Sequence, residues 1–207
     1  MKNCSRRKKS FANIPIKRVL ILCEGESEQI YINNYRSEEK NKRRLSSVDV
    51  EIYQPKNYSP YGLLKEAKRK AKEAKKDKLP YNYIWIIFDK DFHANIPKTF
   101  EEAIDFGINI IFSSICFEVW ILLHFEKTSK CFKDCEELCS YLSKKKHIEY
   151  SKTNYLKDIN KCHFEQASDS AKWLRKTTES ELKSGKKIYE LDCYTNFDIL
   201  IEFLENL

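Results

Sequence analysis

Arg18-Val19-Leu20-Ile21-Leu22-Cys23-Glu24-Gly25 sets a short apolar run directly before an acid and a glycine. Branched side chains in an unbroken run of this length fit a strand buried on both faces. Three further strands follow: Val48 to Tyr53, which alternates apolar and acidic residues, and the apolar runs Tyr83 to Phe88 and Ile108 to Phe112. Between them lie helix signals. Ser27 is placed to cap a helix through Ile30, Tyr31 and Tyr35, and residues 37 to 47 read as a polar loop. Ser59-Pro60 opens a helix running to about Lys78, with the hydroxyl as cap and proline in the first turn. A third helix covers Thr99 to Phe106, stopped by Gly107. Alternation of strand and helix predicts an α/β fold with a parallel sheet flanked by helices. Beyond Ser113 the patterns are helical: Phe117 to Phe125, Asp134 to Lys144, Thr153 to Lys161, Glu165 to Leu182 and Thr195 to Leu204. They predict a C-terminal helical layer packed on the sheet, and a division into residues 1–17, 18–125 and 126–207.

With 42% hydrophobic and 33% charged residues, 4 Gly and 5 Pro in 207, the chain is not disordered, collagen-like or low-complexity. No apolar run approaches the roughly 18 residues that a membrane-spanning helix needs, and no secretory signal follows the basic start. A cytoplasmic protein without membrane contact is therefore expected. The net charge of +7 is carried by the first 18 residues, which hold seven bases and no acid. Arg6, Arg7, Lys8, Lys9 and Lys17 form an arm suited to the phosphates of a nucleic acid, or to lying solvated.

The first run ends in Glu24, with Glu26 and Glu28 close behind, and the third ends in Asp89-Lys90-Asp91. Catalytic groups in an open parallel sheet gather beyond the carboxyl ends of strands. Asp89 and Asp91, two residues apart in extended chain, point to one side. Carboxylates crowded into one crevice repel each other unless a cation lies between them, and hard cations such as Mg2+, with Mn2+ as a substitute, take oxygen ligands. Gly25 lets the backbone turn sharply beside them.

Val19 to Glu28 and Phe88 to Asp91 resemble the two signature segments of the Toprim fold found in topoisomerases, primases and OLD-family nucleases. Cys116-Phe117-Glu118-Val119-Trp120-Ile121-Leu122-Leu123-His124-Phe125 resembles the hallmark of RloB-like proteins, and Thr195-Asn196 resembles that family's closing segment. Ser114-Ile115 stands where the family has Asn-Pro, and Phe197-Asp198 departs from a Val-His pair. The resemblance implies a Toprim-like, Rossmann-like domain in which Glu24, Asp89 and Asp91 hold Mg2+ with Glu28 as a further catalytic acid. It also implies a role in prokaryotic anti-phage defence beside an ATPase partner. On that basis the expected activity is Mg2+-dependent cleavage of nucleic acid. The alternative is a non-catalytic subunit that binds nucleic acid or the ATPase around a structural cation.

Glu118 lies inside an apolar helix and needs a partner there, as a supporting metal acid or through a capped backbone group. His93, two residues past Asp91, is better placed than His124 for proton transfer. Bases at Lys65, Lys68, Arg69, Lys72, Lys75 and Lys76 read as a solvated helix face unless they converge on the crevice. The eight cysteines are expected reduced and zinc-free. Cys131, Cys135 and Cys139 recur at four-residue steps on one helical face, but paired Cys-x2-Cys spacing is absent.

Overall fold

The computed structural model describes residues 17–90, 93, 95–145, 159 and 161–207. Arg6, Arg7, Lys8, Lys9, Asp91 and most of the helix expected over Thr153 to Lys161 lie outside them. Among the described residues the apolar runs form one parallel sheet of β1 (Lys17–Cys23), β2 (Val48–Tyr53), β3 (Tyr83–Asp89) and β4 (Asn109–Ser113). The strand order is β2-β1-β3-β4. From β1 the chain moves to one side to make β2, then crosses back to make β3 on the other. The order therefore reverses between β1 and β3, which opens a crevice outside their carboxyl ends.

Strand periodicity divides the core in two. Val19, Ile21 and Cys23 face α1 (Glu26–Ser37), α5 (Glu118–Leu123), α6 (Cys135–Lys145), α7 (Lys161–Thr177) and α9 (Phe197–Glu205). Leu20 and Leu22 face α3 (Pro60–Lys76) and α4 (Ile96–Phe106), against Leu63, Leu64, Ala67 and Ala103. All five β1 residues from Val19 to Cys23 are fully buried. Burying a leucine or isoleucine side chain contributes on the order of 2 kcal/mol, so this one strand is a main anchor of both layers. No helix among the described residues is long and apolar enough to cross a membrane.

Several local expectations need correction. The polar segment 37–47 carries α2 (Glu39–Arg44) and a 3-10 turn, Leu45–Ser47. It is anchored by Leu45, buried in the core, and by Asn41, buried and donating from Nδ2 to the Tyr35 carbonyl at 2.7 Å. Ser27 does not cap α1; it lies within the first turn, and Gly25 is the N-cap. Ser59 does cap α3, accepting from the Gly62 N–H at 3.2 Å. The α4 helix starts at Ile96, earlier than expected, because Pro97 fits a first turn that leaves its N–H position unbonded in any case. The helix expected over Glu165 to Leu182 breaks at Thr178 into α7 and α8 (Glu179–Lys183). Three of the seven bases of α3 are matched by acids: Lys68 by Glu102 at 2.5 Å, Arg69 by Glu66 and Glu73, and Lys70 by Glu51.

The last segment completes the sheet by imitation. Thr195 bridges Ser113 in antiparallel sense, and their hydroxyls lie 3.1 Å apart. Asn196 Oδ1 accepts from the Phe112 N–H at 2.8 Å while its Nδ2 donates to the Ile110 carbonyl at 3.0 Å. One side-chain amide thus occupies the edge of β4 as a neighbouring strand would, which satisfies groups that burial otherwise makes costly. Asn196→Ala is expected to destabilise the fold by about 1 to 3 kcal/mol in urea denaturation. Asn196→Asp, which retains an acceptor but loses the donor to Ile110, is expected to be destabilised as well.

Candidate metal centre

Parallel pairing of β1 with β3 sets Cys23 opposite Ile87, and the Glu24 N–H continues the ladder to the Ile87 carbonyl at 3.0 Å. Glu24 and Asp89 therefore emerge side by side at the reversal of strand order. Glu24 Oε2 accepts from the Asp89 N–H at 2.9 Å, and its Oε1 lies 3.1 Å from His93 Nε2. Gln54 Nε2, just past β2, donates to the Glu24 carbonyl at 2.6 Å. These contacts hold Glu24 in place from three directions.

Glu28 reaches the same point from the first turn of α1, where carboxylates are favoured by the helix dipole. A Cβ on Gly25 would stand 2.6 Å from Glu28 Oε2. Gly25 itself is extended, with φ −115° and ψ 166°, so the glycine serves close approach and not the sharp turn that its position implies. From the other side α5 brings Glu118, buried at 3% exposure. Asp89 Oδ2 accepts from the Phe117 N–H at 3.0 Å at the entrance to that helix.

Burial lifts the Asp89 carboxyl well above its usual value, and the charges of Glu28, Glu24 and Glu118 push it further in the same direction. The Phe117 N–H opposes them only partly. Burial and Glu28 likewise raise the Cys23 thiol. Four carboxylates thus act on one another in a half-enclosed site, three of them gathered from β1, α1 and β3 and the fourth from α5. This is the environment that an oxygen-seeking cation neutralises. Asp91 lies outside the described residues, so its expected side-by-side placement with Asp89 has no counterpart in this geometry.

His93 is at the site and His124 is not. His124 is fully buried, with Nδ1 2.9 Å from the Trp120 carbonyl and Nε2 3.0 Å from the Tyr31 hydroxyl. A carbonyl only accepts, so Nδ1 is the donor to Trp120. Lys17 begins β1 at the opposite end of the strand from Glu24. Seven strand residues put those ends roughly 20 Å apart.

The loop from β4 to α5 corrects the expectation of eight free thiols: Cys116 and Cys135 are disulfide-bonded, their Cα atoms 5.9 Å apart. Cys131 does not share a helix with Cys135 and Cys139, since α6 begins at Cys135. Ile115, immediately before Cys116, has φ +76°, an unusual conformation for a branched residue and a local concentration of strain. Separation in sequence hid this pair; only the β4–α5 connection folding under α6 brings the two together.

A family model described as RloB-like protein matches residues 19–204. No curated protein and no solved structure matches the chain.

The electrostatics predict a specific pH response. The raised Asp89 carboxyl means that, between its ordinary and its folded value, the folded state holds more protons than the unfolded state, so stability falls as pH rises through that window. Asp89→Asn retains an oxygen for the Phe117 N–H and removes the titration. In chelator, the variant should be more stable than the wild type at neutral pH, and the difference should vanish below the ordinary aspartate range, as read by urea denaturation across pH.

Proposed function

The chain belongs to the RloB-like family, and on that premise we propose that it is a Mg2+-dependent nuclease of a prokaryotic anti-phage defence system, acting with an ATPase partner and built on a Toprim-like domain. The observation that carries this reading is the crowding of Glu24, Glu28 and Glu118 around Asp89 at the reversal of strand order. The donor set fits Mg2+, or Mn2+ in its place, because every group is a carboxylate oxygen. Glu24 and Asp89 are the ligands, joined by Asp91, with Glu28 as the further acid. When bound, the cation supplies a water of lowered pKa and a counter-charge for the leaving oxygen. His93 Nε2, at Glu24 Oε1, holds a proton at the rim of the site.

Substrate phosphate is met by bases. Lys90 follows Asp89 directly and, with Lys133, lines a cavity of about 560 Å³ that also contains Ile115, Phe132, Cys135 and Asp192. The arm of Arg6, Arg7, Lys8 and Lys9 starts from the far end of β1. Arg6 to Lys9 precede Lys17 by 8 to 11 residues, an extended reach of roughly 25 to 40 Å, enough to span the length of β1 toward the crevice.

Glu24→Gln and Asp89→Asn should each lower Mg2+-dependent cleavage by on the order of a hundredfold or more while nucleic-acid affinity changes little, because affinity comes mainly from the bases. Asp91→Asn should match them and Glu28→Gln should be milder. The assay compares wild type and variants reconstituted with the ATPase, with Mg2+ and with chelator. Cleavage undiminished in Glu24→Gln combined with Asp89→Asn would leave a non-catalytic subunit with a structural cation as the better account. Deleting residues 1–16 should preserve the fold and flatten the salt dependence of nucleic-acid binding, measured as the slope of affinity against salt concentration.

A further inference from the structure

Next to the carboxylate cluster, on its α6 side, lies a group of different chemistry. Ligand atoms of Cys116, Glu118 and Cys135 all fall within 4.8 Å of one another. Cys139, one turn further along α6, brings its Sγ to 3.9 Å from that of Cys135. Cys135 Sγ is 3.3 Å from Glu118 Oε2. A disulfide sulfur has no proton to donate, so in the bonded form this contact gives the buried carboxylate no hydrogen bond. In a tetrahedral zinc site with Zn–S of about 2.3 Å, neighbouring sulfurs stand about 3.8 Å apart and a sulfur and an oxygen slightly closer. The Cys135 to Cys139 and Cys135 to Glu118 separations match that spacing, and the Cys116 sulfur lies within 4.8 Å of the Cys135 and Glu118 ligand atoms.

We propose that, once the Cys116–Cys135 bond is reduced, Cys116, Cys135, Cys139 and Glu118 bind a thiophilic divalent cation, Zn2+, between the β4–α5 loop and α6. A thiol or phosphine reductant supplies the two electrons; the S–S bond breaks, two S–H groups form with protons from the reductant or water, and the reductant is oxidised. Zn2+ then displaces the three thiol protons to solvent. Access is direct, because Cys135 lines the cavity beside Lys90. Three thiolates select against Mg2+, so this centre is distinct from the Glu24 and Asp89 centre, with Glu118 standing between the two. Disulfide and metal are alternative clamps on the same two elements. The site differs from the zinc group that the spacing of Cys131, Cys135 and Cys139 brings to mind: Cys116 replaces Cys131.

The test uses the full chain, reduced with a phosphine under anaerobic conditions, incubated with Zn2+ and desalted, beside the unreduced protein. Elemental analysis should find about one Zn2+ per reduced chain and none on the disulfide form, which serves as a folded control. Zn2+ should raise the Tm of the reduced protein, and excess Mg2+ should not displace it. Cys116→Ser and Cys135→Ser should lose the metal, whereas Cys131→Ser should retain it. With Co2+ in place of Zn2+, the absorption should show tetrahedral bands with sulfur-to-cobalt charge transfer, weaker in Cys139→Ser; this reading needs no variant to fold. Zinc absent from the reduced wild type, zinc retained by Cys135→Ser, or a cobalt spectrum lacking the sulfur bands would each overturn the assignment. No nucleic acid or turnover enters the measurement, so failure of the nuclease reading does not touch it.

Discussion

Parallel pairing of β1 with β3 is the constraint on which the rest of the molecule depends. It sets the carboxyl ends of two strands with buried centres side by side, and those ends lead into Glu24 and Asp89. Bringing two carboxylates together in a half-enclosed crevice is electrostatically unfavourable, and Glu28 and Glu118 add to it. The fold bears that repulsion because hydrophobic burial on both faces of β1 holds the strands regardless. Partial compensation comes from the helix dipole at Glu28 and from the amides of Asp89 and Phe117.

The C-terminal third is part of this arrangement. Asn196 and Thr195 close the edge of β4, and α9 packs Phe197 against Trp120, with ring centroids 5.3 Å apart in stacked orientation. Trp120 belongs to the short helix that carries Glu118, so the closing segment and the acid site share one packed unit. Asp198, which departs from the family pattern, is fully buried and paired with Arg175 of α7. Burial raises its carboxyl and the guanidinium opposes the shift, so the pair ties α7 to α9 at a desolvation cost.

The cysteines show a second use of the same framework. Cys116 sits after strained Ile115, where the chain leaves β4, and Cys135 opens α6. Covalent closure across these two positions fixes α6 beside the acid site. The same four residues accommodate a metal when reduced, so the two alternatives keep α6 in one place under different redox conditions.

Much of the architecture was legible in the sequence because the strands are short, branched and apolar and the helices between them are amphipathic, features that depend on neighbours along the chain. The order of strand and helix determined a parallel α/β sheet, and the acids at two strand ends determined which carboxylates stand at its carboxyl edge. What local pattern cannot carry was missed. The α2 helix lies in a largely polar segment and is held by the buried amide of Asn41 and by Leu45 at its end, and Ser27 was excluded as a cap by the placement of Gly25. The sequence by itself determined which side chains are acidic, apolar or thiol and which strand each follows. Only the tertiary structure decided that Glu118 joins Glu24, Glu28 and Asp89, that His93 and not His124 meets them, and that Cys116 finds Cys135. The physical reason is that burial and through-space charge act over a few ångströms, and the residues that they couple are separated by tens of positions along the chain.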